Sequence, residues 1–207
     1  MIDAKTVKTL RERTGVGMME CKRALVESGG DIERAAVWLR EHGLAQAQKK
    51  EGRAATEGLV DAYIHAGGRI GVLVEVNCET DFVASTEPFR TLVHDIALQV
   101  AATSPRWVRR EEVPPEVVAS ERAILTAQVE QDPRQAGKSP AILEKIVEGR
   151  LEKFYQTNCL MEQAFVRDPD TTIQNLVRSK VALLGENIAV RRFVRFALGE
   201  GSDPAAS

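Results

Sequence analysis

The chain has 207 residues, 43% of them hydrophobic, with a formal net charge of −2. That is enough for one main domain and a small appendage, apolar enough to build a core, and too near neutrality for a surface made throughout to hold nucleic acid. Cys21, Cys78 and Cys159 stand far apart, with no CxxC pair and no Cys/His cluster, so structural zinc is not expected and free thiols in a reducing compartment are. No run of about 18 apolar residues offers a membrane span, and Met1 to Lys5 carries no signal-like apolar stretch; the expectation is a cytoplasmic protein.

Residues 1–43 read as three short helices. Asp3 is placed to cap the first, where Val7 and Leu10 recur at helical spacing. Thr14-Gly15-Val16-Gly17 breaks it. Met18 to Glu27 forms the second, with Met18, Cys21 and Leu25 on one side, and Gly29-Gly30 ends it. Asp31 caps the third, which turns Ile32, Ala35, Ala36 and Leu39 inward. His42, before Gly43, is expected at its C-terminal end, where an imidazole complements the helix dipole. Residues 44–57 are rich in Ala, Lys, Gln and Arg and read as an exposed, partly helical linker.

From Gly58 the pattern changes. Leu59 to His65 and Ile70 to Val76 alternate on either side of Gly67-Gly68, which predicts a β-hairpin. Glu87 to Ala102 carries a helical apolar stripe through Phe89, Leu92, Val93, Ile96 and Val100. Two more helices follow, from Pro114-Pro115 to Gln131 and from Pro140 to Tyr155, separated by a charged loop over 132–138. A short strand is expected within 159–166, a short helix from Thr172 to Lys180 and a last strand from Val190 to Leu198. Residues 202–207 read as a disordered tail. Helices gathered on an antiparallel sheet make 58–201 an α+β domain.

Few residues offer chemistry. Cys78 and His94 could be imagined as a nucleophile and its base, but no glycine turn or orienting carboxylate pattern surrounds the thiol, and a small buried apolar side chain at a strand end accounts for it. Gly15-Val16-Gly17 lacks the lysine and the preceding strand of a phosphate loop, and no other nucleotide or zinc-protease motif occurs. Lys5, Lys8, Arg11, Arg13, Lys22 and Arg23 read as solvated helix faces, since aromatics for base stacking are missing among them. Two positions stand out. Met18 and Met19 are successive on a helix, about 100° apart. One is expected in the thin core and the other is left for solvent or an adaptable binding surface. After Val76 the alternation stops, and Asn77-Cys78-Glu79-Thr80-Asp81-Phe82-Val83 sets a carboxylate beside an aromatic ring. Phe82 either anchors the next helix to the core or inserts into a partner's pocket, where ring burial is worth about 1.5–3 kcal/mol.

Leu10-Arg11-Glu12-Arg13-Thr14-Gly15-Val16-Gly17-Met18-Met19-Glu20-Cys21-Lys22 closely resembles the N-terminal motif of the elongation factor Ts family, and Glu75-Val76-Asn77-Cys78-Glu79-Thr80-Asp81-Phe82-Val83-Ala84 resembles its second motif. Glu148 to Phe154 and Arg195 to Gly201 are similar to later segments of the family, and the matches run in order from residue 5 to 201. The resemblance implies a guanine-nucleotide exchange factor of translation, not an enzyme, acting on elongation factor Tu. It implies that the first unit is a ubiquitin-associated-like bundle docking on the GTPase domain through Arg11, Met18 and Met19. Thr80, Asp81, Phe82 and Val83 match the segment that disturbs the partner's magnesium site, with Phe82 as a wedge and Asp81 perturbing the water and ligand network around the metal. The chain itself then needs no metal, nucleotide or other cofactor, no direct nucleic acid and no membrane. Glu79 departs from the family, in which glutamine is frequent there. The short length fits a single core subdomain and a homodimer, with Val190 to Leu198 as the expected interface.

Two other classes compete. A ubiquitin-associated-like adaptor would bind some other protein through the bundle and could dispense with 58–201. An RNA-binding module using Lys5 to Lys22 would lose affinity steeply with salt. Neither accounts for the segment Asn77 to Val83.

Overall fold

The computed structural model describes residues 2–200; the tail 202–207 and Gly201, the last residue of the expected core domain, lie outside them. In chain order the elements are α1 (Ala4–Thr14), α2 (Met18–Glu27), α3 (Ile32–Gln48), β1 (Glu57–Ile64), β2 (Ile70–Cys78), α4 (Asp81–Ala84), α5 (Glu87–Thr103), α6 (Pro115–Gln131), α7 (Pro140–Asn158), β3 (Ala164–Phe165), β4 (Asp168–Thr172), α8 (Ile173–Leu184) and β5 (Ile188–Ala197). The fold is α+β, with three N-terminal helices followed by an antiparallel sheet and its helices. The chain forms two compact units. Among the described residues, one is drawn from 2–62, Leu73–Asp95 and Gln174–Arg192; the other from Tyr63–Val72, Ile96–Ile173 and 193–200.

In the first unit, α1, α2 and α3 start and stop where their caps require. The Asp3 carboxylate accepts from Thr6 N at 2.6 Å, and that bond holds it below the usual carboxylate range. Gly15 ends α1 in the left-handed region at φ 71°, its N–H returning to Arg11 O at 2.7 Å. Gly30 N closes α2 onto Leu25 O at 2.8 Å, and Asp31 caps α3 through Arg34 N at 3.0 Å. Val7, Leu10, Cys21, Ala24, Leu25, Ala35 and Leu39 fill the bundle's core. Arg13 and Glu33 pair as guanidinium and carboxylate across α1 and α3.

Two expectations for the bundle fail. Met18 is 42% exposed and Met19 76%, so neither methionine is in the core. Cys21, Ala24 and Leu25 already close that side, with Val16 packing in from the turn. Nor is His42 at a helix terminus. Helix α3 runs on to Gln48, and His42 lies within it, stacked on Trp38 with ring centroids 3.7 Å apart. Gly43 is no stop signal: a Cβ there would stand 3.0 Å from Ala182 Cβ, so the missing side chain lets α3 approach α8. Beyond α3, Lys50 Nζ donates to Gly185 O at 2.6 Å and Arg178 pairs with Glu51 at 2.8 Å.

The three-stranded sheet has the order β1-β2-β5. The β1–β2 hairpin closes through His65 N to Ile70 O at 2.9 Å. Gly58 permits the tightest contact between these strands: a Cβ there would sit 2.1 Å from Val76 O, at φ 143°. Val72, Val74, Val76 and Cys78 form the buried face of β2, as strand alternation requires. Strand β5 runs antiparallel to β2, with Arg192 paired to Glu75 at 2.7 Å near its start and Leu198 N donating to Arg69 O at 2.8 Å near its end.

In the second unit α6 and α7 pack as a hairpin around Leu125, Val129, Val147 and Leu151. Arg110 ties the preceding loop to α7 and the turn after it, pairing with Glu152 at 2.8 Å and with Glu162. The strand expected in 159–166 is a helical turn at Leu160–Glu162 followed by β3, which pairs with an unexpected β4. Asp168-Pro169-Asp170-Thr171-Thr172 has no apolar alternation to announce a strand. Buried Gln99 holds the hairpin from α5, donating to Ala164 O at 3.1 Å and accepting from Val166 N at 2.9 Å.

Candidate functional site

The segment after β2 folds into a single helical turn because Thr80 caps it. Its hydroxyl accepts from Val83 N at 3.3 Å while its backbone stays extended at φ −132°. Four residues, Asp81–Ala84, make the turn, and α5 starts at Glu87. So short a helix cannot stand on its own hydrogen bonds. Val83, 4% exposed, and Ala84 anchor it in the core. Asp81 faces solvent, and Phe82 is 75% exposed. Ser85 Oγ donates to Phe82 O at 2.7 Å and Thr86 Oγ1 to Val83 O at 2.7 Å, holding the exit from the turn. Of the four residues singled out here, Thr80, Asp81 and Phe82 lie at the surface and Val83 does not.

The loop leading into this turn is held from far away in sequence. Glu186, between α8 and β5, accepts from Glu79 N at 3.1 Å and Thr80 N at 3.0 Å through one carboxylate oxygen, and from Thr80 Oγ1 at 2.7 Å through the other. Glu79 answers in kind, accepting from Asn187 N at 2.6 Å, and lies 3.7 Å from Arg53. Asn187 Nδ2 donates to Arg53 O at 2.7 Å. Sequence reading missed Glu186 and Asn187. They stand 106 or more residues from their partners, and nothing local marks them.

The thiol of Cys78 is buried at the end of β2 and donates to Thr80 O at 3.1 Å. Burial, with the Glu186 carboxylate nearby, pushes it above the ordinary thiol range, the wrong direction for a nucleophile. His94 faces Asp61 at 3.8 Å. Among the described residues no group of three or more His, Cys, Asp or Glu is arranged to hold a metal ion.

Arg11, Met18 and Met19 are also at the surface, on either side of the α1–α2 turn. Exposed, unbranched thioethers and an exposed guanidinium each suit an adaptable protein contact. The structure therefore has two candidate contact surfaces on separate elements, one of methionine and arginine, the other an aromatic ring beside a carboxylate. Neither is a concave cleft with convergent titratable groups of the kind that bond-making chemistry uses.

A model of the family described as Elongation factor TS matches residues 43–200. That range contains Thr80 to Val83 and leaves out Arg11, Met18 and Met19. Proteins named Elongation factor Ts match nearly the whole chain. The one from Moorella thermoacetica is 61% identical over 201 residues, covering 97% of each chain. The one from Caldanaerobacter subterraneus subsp. tengcongensis is 59% identical, covering 97% of this chain and 98% of its own. The one from Thermoanaerobacter pseudethanolicus is 56% identical over 207 residues, covering both chains in full.

Proposed function

Because the chain belongs to the elongation factor Ts family, we propose that it is the guanine-nucleotide exchange factor for elongation factor Tu in cytoplasmic translation. It makes and breaks no covalent bond. It binds the GDP-bound GTPase, disturbs its magnesium site, and so promotes GDP release before GTP enters. Residues 1–43 act as the docking module, 44–57 as its connector and 58–201 as the core.

Phe82 inserts between structural elements of the partner as a wedge, and Asp81 beside it perturbs the water and ligand network of the metal. Magnesium bound to a nucleotide keeps several waters and only one or two protein ligands, so a small displacement of those ligands is enough to weaken the nucleotide. Val83 serves from inside, as the anchor that gives the wedge something to push against. Arg11, Met18 and Met19 supply docking affinity. The coupling is reciprocal: a factor that loosens GDP is itself loosened by GDP, and GTP entry releases it. A homodimer completes the working form, with β5 in its interface.

One observation carries this reading. An aromatic side chain next to a carboxylate is 75% exposed on a turn whose other apolar residues are buried, which leaves the ring free to fill a pocket of a partner. The test is release of a fluorescent GDP from elongation factor Tu with catalytic amounts of the protein and of Phe82→Ala. Wild type should accelerate release. The variant should lose about 2 kcal/mol of that effect, about thirtyfold in rate, with thermal stability changed by no more than about 0.5 kcal/mol because the ring is outside the core. No acceleration by wild type would remove the exchange reading. Equal acceleration by both would remove the wedge alone.

A further inference from the structure

Glu79 and Thr80 lie between the end of a strand and a one-turn helix, so neither element supplies acceptors for their amides. Both amides are taken by one oxygen of Glu186, at 3.1 and 3.0 Å, while its other oxygen takes the Thr80 hydroxyl proton at 2.7 Å. The same Thr80 oxygen accepts from Val83 N at 3.3 Å, which extends the clamp into α4 itself. The exchange is mutual, since Glu79 accepts from Asn187 N at 2.6 Å. The turn carrying Glu186 is fixed in its own right by Lys50 Nζ on Gly185 O at 2.6 Å and by Asn187 Nδ2 on Arg53 O at 2.7 Å. Hydrogen bonds to an ionised carboxylate are about twice as strong as neutral ones. A donor loop, an acceptor turn with ties of its own and three charge-assisted bonds between them favour one orientation for the helical turn that follows.

We propose that Glu186 is a positioning residue for nucleotide release: its carboxylate fixes the Glu79–Thr80 backbone so that α4 presents Phe82 and Asp81 to the partner in a single orientation. This rests on the exchange-factor reading above. A wedge works only where it is aimed, and a misplacement of about 1 Å can cost about a hundredfold in rate while leaving binding contacts elsewhere intact. Its three bonds run to Glu79 and Thr80, so the role assigned to it acts through Thr80 and α4. A carboxylate that merely satisfied two amides would affect stability and nothing more.

The experiment compares full-length wild type, Phe82→Ala, Glu186→Gln and Glu186→Ala. Fluorescent GDP release from elongation factor Tu is measured against factor concentration, and thermal melts are recorded alongside. Glu186→Gln keeps the shape and one acceptor oxygen but loses the charge and the second acceptor, so it decides the matter even where the alanine variant fails to fold. The maximal stimulated rate should fall about tenfold. The half-saturating concentration should stay within about twofold, because Arg11, Met18 and Met19 are untouched. An excluded osmolyte that restores the melting temperature should not restore the rate. Wild-type stimulation by Glu186→Gln, with Phe82→Ala impaired, would overturn the positioning role and leave the wedge standing. Recovery of the rate with the osmolyte would overturn it in favour of a structural role. Failure of wild type to stimulate release would take down the exchange reading and this inference together.

Discussion

Phe82 and Val83 are neighbours with opposite fates. Successive positions on a helical turn point about 100° apart, so one apolar side chain anchors the turn and the next is left in water, 75% exposed. From the sequence alone Phe82 could equally have been the anchor, and only the placement of α4 resolves this. The Glu79 position has a similar logic. Its side-chain oxygen accepts from Asn187 N at 2.6 Å, and a glutamine carbonyl oxygen could accept the same bond, giving up only the 3.7 Å approach of Arg53. That approach is partly exposed and worth little. Glu79→Gln is therefore expected to leave the maximal stimulated rate of GDP release within about twofold of wild type; a tenfold loss would show that the charge matters. Cys159 is buried, and burial pushes its thiol from an ordinary 9.0 up to about 11. With Cys21 and Cys78 also buried, no thiol in the folded chain is presented for an intermolecular disulfide.

At the scale of elements, the sequence was most legible where periodicity and capping agreed. The first two helices of the bundle, the start of the third, the β1–β2 hairpin, α5, α6 and α7 fall within a few residues of expectation. Asp3, Asp31, Gly15 and Gly30 act as local punctuation, and apolar spacing selects the buried face. One glycine departs from its expected place. Gly43 looked like a stop but serves close helix packing, with Ala182 Cβ 3.0 Å from where its Cβ would be. That contact is with a helix more than a hundred residues later, so no local pattern could reveal it. Gly58 is under a closer steric constraint than Gly43. Gly58→Ala places a methyl 2.1 Å from Val76 O at φ 143°. Thermal or urea unfolding should show a loss of about 2 kcal/mol or more, from the clash and the disfavoured backbone together. An unchanged midpoint would mean that the hairpin relaxes freely.

At the scale of the whole molecule, the open question is what covers strand β5. Phe196 and Leu198 are each 70% exposed, Val194 is 42% exposed, and Ile64 on β1 is 66% exposed. Large apolar side chains gathered at one end of a sheet are what the homodimer proposed above would cover. Phe196→Asp should then shift the molar mass in light scattering from dimer to monomer at micromolar concentration. It should do so without lowering secondary-structure content, because the side chain lies outside the core. A monomeric wild type would remove the dimer from the proposal.

The sequence by itself determined the local physics: where helices are capped, which faces are apolar, that residues 75–84 end a strand in something unusual, and, through motif resemblance, which family the chain joins. These depend on neighbours within a few positions, or on matches read along the chain. Tertiary structure alone decided that both methionines face outward, that Phe82 is the free ring and Val83 its anchor, and that Glu186 and Asn187 hold the loop in between. The methionines are turned out by side chains that fill the bundle core ahead of them, and Glu186 and Asn187 reach the loop across more than a hundred residues; hydrogen bonds between distant loops leave no period, cap or composition by which a sequence could announce them.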